Sequence, residues 1–264
     1  MSDQQHKPGI QVVDSIDTLR GLLDDLKTLP TSPSTPSVYL DLEGINLCRH
    51  GSLSIVTMYT TPNNTVYIID IHTMKDTAFK PMQEGGTSLR ALLESPSIKK
   101  VLFDVRNDSD ALTGSRRLVS GLAKCIDFNS PISPTRKREW KLQKERTNTL
   151  FIPDKGGRYE VFNERPFKEE IIPYCAEDVI LLPGLYAVYN RKLNSDWKSK
   201  VQDATKDRIR LSQSMGYEPK GKHMALGPWP DKPTKKKNGI ALEMIGKMTS
   251  IQTVPGIALD GRKI

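Results

Sequence analysis

The stretch Ser37-Val-Tyr-Leu-Asp-Leu-Glu-Gly44 restricts what this chain can fold into more than any other, because it reads as a buried strand that carries two acids. Val38, Leu40 and Leu42 alternate with Tyr39, Asp41 and Glu43. Residues two apart in a strand share a face, so Asp41 and Glu43 present two carboxylates side by side. Like charges that close need a compensating cation. Oxygen donors favour hard divalent ions such as magnesium or manganese. The plainer reading is a surface strand with two solvated acids on its outer face, and the rest of the chain has to shift that balance.

A chain of 264 residues suits one domain of roughly 180–200 residues with tails, or two small ones, and the first is the expectation. Its formal charge of +8 favours a polyanionic partner, nucleic acid or an anionic membrane, although many basic proteins bind neither. The three cysteines, Cys48, Cys125 and Cys175, show no CxxC spacing, which argues against a disulfide framework and a structural zinc site. No apolar run approaches the length of a membrane span, and the first residues lack an apolar signal core. The expectation is an intracellular protein, nuclear or cytoplasmic, with no membrane partner.

In chain order, residues 1–9 are expected to be disordered, 10–218 to form one domain, and 219–264 to be a basic, mostly disordered tail. Ile10 to Val13 reads as a short strand. Ser15 then caps an amphipathic helix to Leu29 with Leu19, Leu22, Leu23 and Leu26 on one face. After the Pro30–Pro36 punctuation, the strand with Asp41 is followed by Leu53–Tyr59 and Thr65–Ile71, a hairpin across Thr60–Asn64. The three make an antiparallel meander. Leu89–Leu93 reads as a short helix, Lys99–Phe103 as a buried strand, and Val105–Leu112 as the start of a helix. Ser120–Ile126 is a helix end or a short strand, Pro131–Lys155 a polar basic loop around Trp140, and Tyr159–Phe162 a brief strand. Lys168–Tyr189 is helical, interrupted by Pro173 and Pro183, and a further helix runs from Asp196 to Ser214.

Acids therefore occupy site-like positions in separated segments: Asp41 and Glu43 on a strand, Asp108 opening a helix, and Asp178 in Tyr174-Cys-Ala-Glu-Asp178. Tyr174 and Asp178, at i and i+4, face the same way on a helix. Four converging acids would bind two divalent ions, an arrangement suited to in-line displacement at a phosphodiester. In the basic segment, Arg136, Lys137 and Arg138 can meet a nucleic-acid backbone and Trp140 can stack on a base. A solvated loop with one packed Trp explains them equally well.

The motifs Asp41-Leu-Glu43, Asp108-Ser-Asp-Ala-Leu112 and Tyr174-Cys-Ala-Glu-Asp178, in that order, resemble the DEDD superfamily of 3'-5' exonucleases, the subgroup with tyrosine in its third motif. RNase D and the Werner exonuclease domain belong to it. Phe103-Asp-Val-Arg-Asn-Asp-Ser-Asp-Ala-Leu112 and Glu164-Arg-Pro-Phe167 look most like its Egalitarian-like branch. The resemblance implies an α/β ribonuclease H-like fold, a mixed sheet flanked by helices. It also implies two Mg2+ or Mn2+ ions held by Asp41, Glu43, Asp108 and Asp178, with Tyr174 orienting the attacking water. The implied substrate is the 3' end of RNA or single-stranded DNA. The alternative is a catalytically weak or inactive nucleic-acid-binding adaptor on the same fold. Asp104 and Asp110 also stand in the second motif, where spacing to Leu112 favours Asp108. Leu112 runs directly into Thr-Gly-Ser-Arg-Arg-Leu118, where relatives carry a further strand, so a strand is expected to be missing there.

Overall fold

A computed structural model describes residues 7–30, 35–48, 51–82, 86–103, 120–218, 221, 223 and 226 and the backbone of 251–254. Those among 1–100 and 138–180, with 254, form one compact unit, and those among 101–137 and 181–253 a second. In the first unit, the alternating segments become strands: β1 (Gly9–Val13), β2 (Val38–Ile45), β3 (Ser52–Thr60) and β4 (Thr65–Asp70). Their order is β1-β4-β3-β2, with β2, β3 and β4 antiparallel and β1 parallel to β4. The meander is thus as expected, and β1 makes the sheet mixed. Between β1 and β2 lies α1 (Ile16–Lys27), whose N-cap Ser15 and Thr18 cap each other's backbone reciprocally. Its Leu19, Leu22, Leu23 and Leu26 are buried, and the helix packs on β1.

Next to the acids the pairing is irregular: Glu43 faces Ile55 while Gly44 faces Leu53, leaving Ser54 as the extra residue of a bulge in β3. A methyl group on Gly44 would lie 2.0 Å from the Ser52 carbonyl oxygen, so only glycine permits this close approach. The Ser54 hydroxyl donates to Asn163 Oδ1 at 2.5 Å, tying the bulge to a 3-10 turn at Tyr159–Asn163. That turn packs on β2 and β3.

At the end of β4, Asp70 caps α2 (Ile71–Met74) by accepting from Thr73 N at 2.9 Å. Arg165 donates to both Asp70 oxygens at 2.5 Å in a fork-to-fork pair, with its guanidinium 3.8 Å from the centre of the Phe167 ring. Burial alone would raise the Asp70 carboxyl, but the Arg165 and Thr73 hydrogen bonds hold it below its usual range. A carboxyl so depressed stabilises the fold above its unfolded pKa and loses that contribution as pH falls through the folded one. Arg165→Met leaves the 1% exposed Asp70 carboxylate without its cation. It should therefore cost about 3 kcal/mol at neutral pH and flatten the acid limb of stability. Urea unfolding at pH 7 and pH 3 checks this, and a midpoint matching the unsubstituted protein at both would contradict it.

The remaining elements are α3 (Leu89–Glu94), β5 (Lys100–Phe103), α4 (Leu122–Asn129), α5 (Pro134–Phe151), α6 (Ile171–Ile180), α7 (Leu182–Lys192), α8 (Ser195–Ser212) and β6 (Ile251–Val254). In the second unit, α4 packs on α7, and the Tyr189 hydroxyl donates to Asn129 Oδ1 at 3.0 Å. The apolar face of α6 is Ile171, Cys175 and Val179, laid across β2, β3 and β4.

Several expectations need correcting. Pro131–Lys155 is not a loop, because α5 runs through most of it. Its buried stripe holds a threonine and a lysine where apolar residues would have signalled a helix. Tyr159–Phe162 forms a 3-10 turn and not a strand, and Ser120–Ile126 enters the helix α4. Pro173 does not interrupt α6: it lies in the first turn, where its missing N–H has no intrahelical acceptor to lose. Pro183 does end the run, since α7 restarts one residue before it. The α8 helix stops at Ser212, short of Ser214, and the tail contains the strand β6. Ile171–Lys192 is long and apolar enough to cross a membrane by length and composition, contrary to the expectation, and half of its most apolar window is buried inside the protein. Asp104, Asp108, Asp110, Leu112 and the segment expected to lack a strand lie outside the described residues.

Candidate active site

Strand β2 places Asp41 and Glu43 on one face by its two-residue repeat, and α6, packed over that face, places Tyr174 and Asp178 one turn apart. The carboxylates of Asp41, Glu43 and Asp178 come together with oxygens within 4.8 Å of one another. Asp41 and Asp178 are buried and Glu43 is half-buried. Burial, reinforced by the Asp178 charge, pushes the Asp41 carboxyl up to about 7. Burial and the neighbouring Asp41 and Asp178 push Glu43 well up, and burial also raises Asp178 against the opposing pull of Lys144. The Tyr174 phenol and Cys175 thiol behind them are likewise raised, first by burial and then by the acids. Three acids held this close without full charge compensation form a site for a cation.

Two buried oxygens bear on that. Asp178 Oδ1 has no hydrogen-bond partner among the described residues, and neither has Thr57 Oγ1. Thr57 is paired directly with Asp41 across the β2–β3 ladder, so its side chain lies on the same face. An unmet carboxylate oxygen inside an all-oxygen donor set is what a hard divalent ion would satisfy. The residues present therefore fit magnesium or manganese.

Lys144, which sequence reasoning missed, reaches this cluster from α5. Its ammonium donates to Asp178 Oδ2 and sits 3.7 Å above the centre of the Tyr174 ring. The spacing of Trp140, Lys144, Thr147 and Phe151 is i, i+4, i+7, i+11, one helix face. Trp140, Thr147 and Phe151 are buried, and the helical spacing of Trp140 and Phe151 about Lys144 was the signal available in the sequence. Phe151 supports Tyr174 edge-on at 5.2 Å between ring centres.

Trp140 itself corrects an expectation. It is only 3% exposed, with the Lys144 ammonium 5.7 Å from its ring centre, which leaves no free face on which a base can stack. Arg136 and Lys137 are half-buried and Arg138 is exposed at the start of α5, where the Lys137 ammonium donates to the Asp127 carbonyl oxygen at 2.7 Å. Asp108, the remaining expected metal-site acid, lies outside the described residues.

Residues 10–194 match the family described as 3'-5' exonuclease. Among solved structures, the chain is similar to Trypanosoma brucei RNase D in complex with GMP, at 18% identity and a TM-score of 0.51, covering 97% of this chain and 76% of that one. It is similar also to the same RNase D in complex with the RNA U12, at 17% identity and a TM-score of 0.50, covering 97% and 84%. At such identities the likeness is one of fold, and it makes the mixed sheet and its helices ribonuclease H-like. A comparison with curated proteins found no match.

Proposed function

The chain belongs to the 3'-5' exonuclease family, and from that membership we propose that it hydrolyses nucleic acid from the 3' end by metal-dependent chemistry at Asp41, Glu43, Asp178 and Asp108. The observation that carries this reading is the convergence of the Asp41, Glu43 and Asp178 oxygens within 4.8 Å, beside a tyrosine on the same helix as Asp178. Asp41, Glu43 and Asp178 would hold one divalent ion, and Asp41 with Asp108, through water, a second. Bound there, such ions supply positive charge to the scissile phosphate and acidity to the attacking water.

The residues do the rest. The Tyr174 phenol, kept protonated by its raised pKa, accepts from and orients the water. The water oxygen bonds to phosphorus as the bond from phosphorus to the 3' oxygen breaks, and a water proton ends on that oxygen. The products are a 5'-mononucleotide and a strand shortened by one residue with a free 3' hydroxyl. Arg136, Lys137 and Arg138 would make phosphate contacts that carry no sequence preference. An RNase D of this fold has been seen with GMP and with an RNA, which supports RNA as substrate ahead of single-stranded DNA.

The second reading, a nucleic-acid-binding adaptor with little catalysis, is favoured by one feature: the Lys144 ammonium already compensates Asp178. End-labelled single-stranded RNA and DNA incubated with Mg2+, Mn2+ or chelator separate the two. Mononucleotide release from the 3' end that stops with chelator supports the enzyme; binding without any release, in either metal, supports the adaptor. Tyr174→Phe keeps the ring under Lys144 and removes only the hydroxyl. It should slow turnover by about 10²–10⁴-fold, the range for a lost proton-handling group, with Mn2+ affinity unchanged. A rate equal to that of the unsubstituted protein would remove Tyr174 from the mechanism.

A further inference from the structure

We propose that Lys144 is a catalytic residue of this site: its ammonium holds the place of a cation at Asp178 until divalent ions load, and then turns to the scissile phosphate. The inference rests on the exonuclease reading above. The Lys144 ammonium lies on Asp178 Oδ2, while the unmet Oδ1 of the same carboxylate is the oxygen left for an ion. Its charge is also felt by Asp41 and Glu43, both of which it pulls down against their burial. An ion on Oδ1 and an ammonium on Oδ2 would share one buried carboxylate, and like charges that close repel strongly where water is excluded. Ion loading therefore favours release of the ammonium from Oδ2.

Where the ammonium can go is restricted by its surroundings. Along the α5 face, Trp140, Thr147 and Phe151 are buried around its stem, and the Tyr174 ring lies beneath the ammonium. The side chain keeps 16% of its surface exposed, so the direction open to the ammonium is toward solvent. A phosphodiester reaching the acids must also arrive from solvent. A lysine is suited to the exchange, because its compact charge rides on a flexible four-carbon stem. The scissile phosphodiester brings one negative charge to the site, which one ammonium offsets. No proton leaves Lys144 in the step; it supplies charge to the phosphate oxygens as the attacking and departing oxygens exchange.

The test measures two affinities that must move in opposite directions. Mn2+ binding by metal-stripped protein is followed by the loss of the free-ion EPR signal. Binding of fluorescein-labelled single-stranded RNA is followed by anisotropy in Ca2+, to suppress turnover. Lys144→Met should bind Mn2+ tighter and RNA more weakly, each by about 10–10³-fold, the range by which an adjacent unit charge shifts a site equilibrium. Lys144→Arg, which keeps the charge, should stay near the unsubstituted protein in RNA affinity. Lys141→Met, an exposed lysine of the same helix, should change neither affinity more than about twofold, as for a screened surface charge. Lys144→Gln provides the same test if the Met variant does not fold. Weaker binding of both Mn2+ and RNA, or tighter Mn2+ with RNA affinity unchanged, overturns the proposal. So does loss of folding in both neutral variants while Lys144→Arg folds, because the charge is then structural. Failure of the unsubstituted protein to bind Mn2+ overturns the exonuclease reading, and this inference with it.

Discussion

Asp41→Asn is expected to abolish measurable exonuclease turnover while the protein stays folded and still binds single-stranded RNA. Asp41 shares the cluster with Glu43 on its own strand and Asp178 on α6, with oxygens of all three within 4.8 Å, so it would ligate an ion that the cluster holds. The substitution keeps the shape and size of the side chain and removes its charge. Loss of the transition-state stabilisation that bound ions provide is worth several kcal/mol, which corresponds to about 10³–10⁴-fold in rate. The fold should not suffer, because in metal-free protein Asp41 is a buried acid beside two others and burial already opposes its ionisation. Single-turnover assays, circular dichroism and RNA anisotropy on one preparation check the three parts together. A variant turning over at an undiminished rate would place the metal chemistry elsewhere in the chain.

Metal-free protein should lose stability as pH rises from about 4 to 7, and divalent ions should restore it most at the alkaline end. Asp41 has its pKa pushed up to about 7, against an unfolded carboxyl near 3.9. Between those values the folded state holds a proton that the unfolded state has released, so stability falls with rising pH. Three pH units correspond to roughly 4 kcal/mol at most for this group. The groups facing Asp41 are Glu43 on β2, Asp178, Tyr174 and Cys175 on α6, and Lys144 on α5. Of these, Glu43 and Asp178 are raised too and act in the same direction, whereas Lys144 opposes them. In melting temperature the loss amounts to about 10 °C, at 2–4 °C per kcal/mol for a chain of this size. Melts at pH 5 and pH 8, each with chelator or with 10 mM-scale Mg2+, measure it. A metal-free protein that melts higher at pH 8 than at pH 5 would contradict the picture of an under-compensated acid cluster.

The two halves of the site were legible to different degrees. Asp41 and Glu43 stand out because strand alternation puts them on one face and their apolar neighbours imply burial, and β2 bears out both. Tyr174 and Asp178 stand out because i and i+4 share a helix face, and both are buried on α6. The meander was legible from its β-rich runs and the Thr60–Asn64 turn, where Asn64 takes the positive φ that such a reversal needs. By contrast, α5 was hidden. Its buried positions are a tryptophan, a threonine and a phenylalanine separated by many charges, so the 3.6-residue period of apolar residues is nearly absent. With the helix unseen, Trp140 was free to be imagined in contact with a base.

Local pattern, then, determined which side chains share a face: Asp41 with Glu43, Tyr174 with Asp178, and the apolar rows of α1. These are properties of periods two and 3.6, set by backbone geometry within a few residues. Only the tertiary structure decided that β2 and α6 bring their acids within one coordination distance, that a bulge opposite Gly44 stands beside them, and that Lys144 enters the cluster from a third element. The reason is that a buried charge is tolerated only where a partner meets it, and the partner of Asp178 lies 34 residues away in sequence, beyond the reach of any helical or strand repeat.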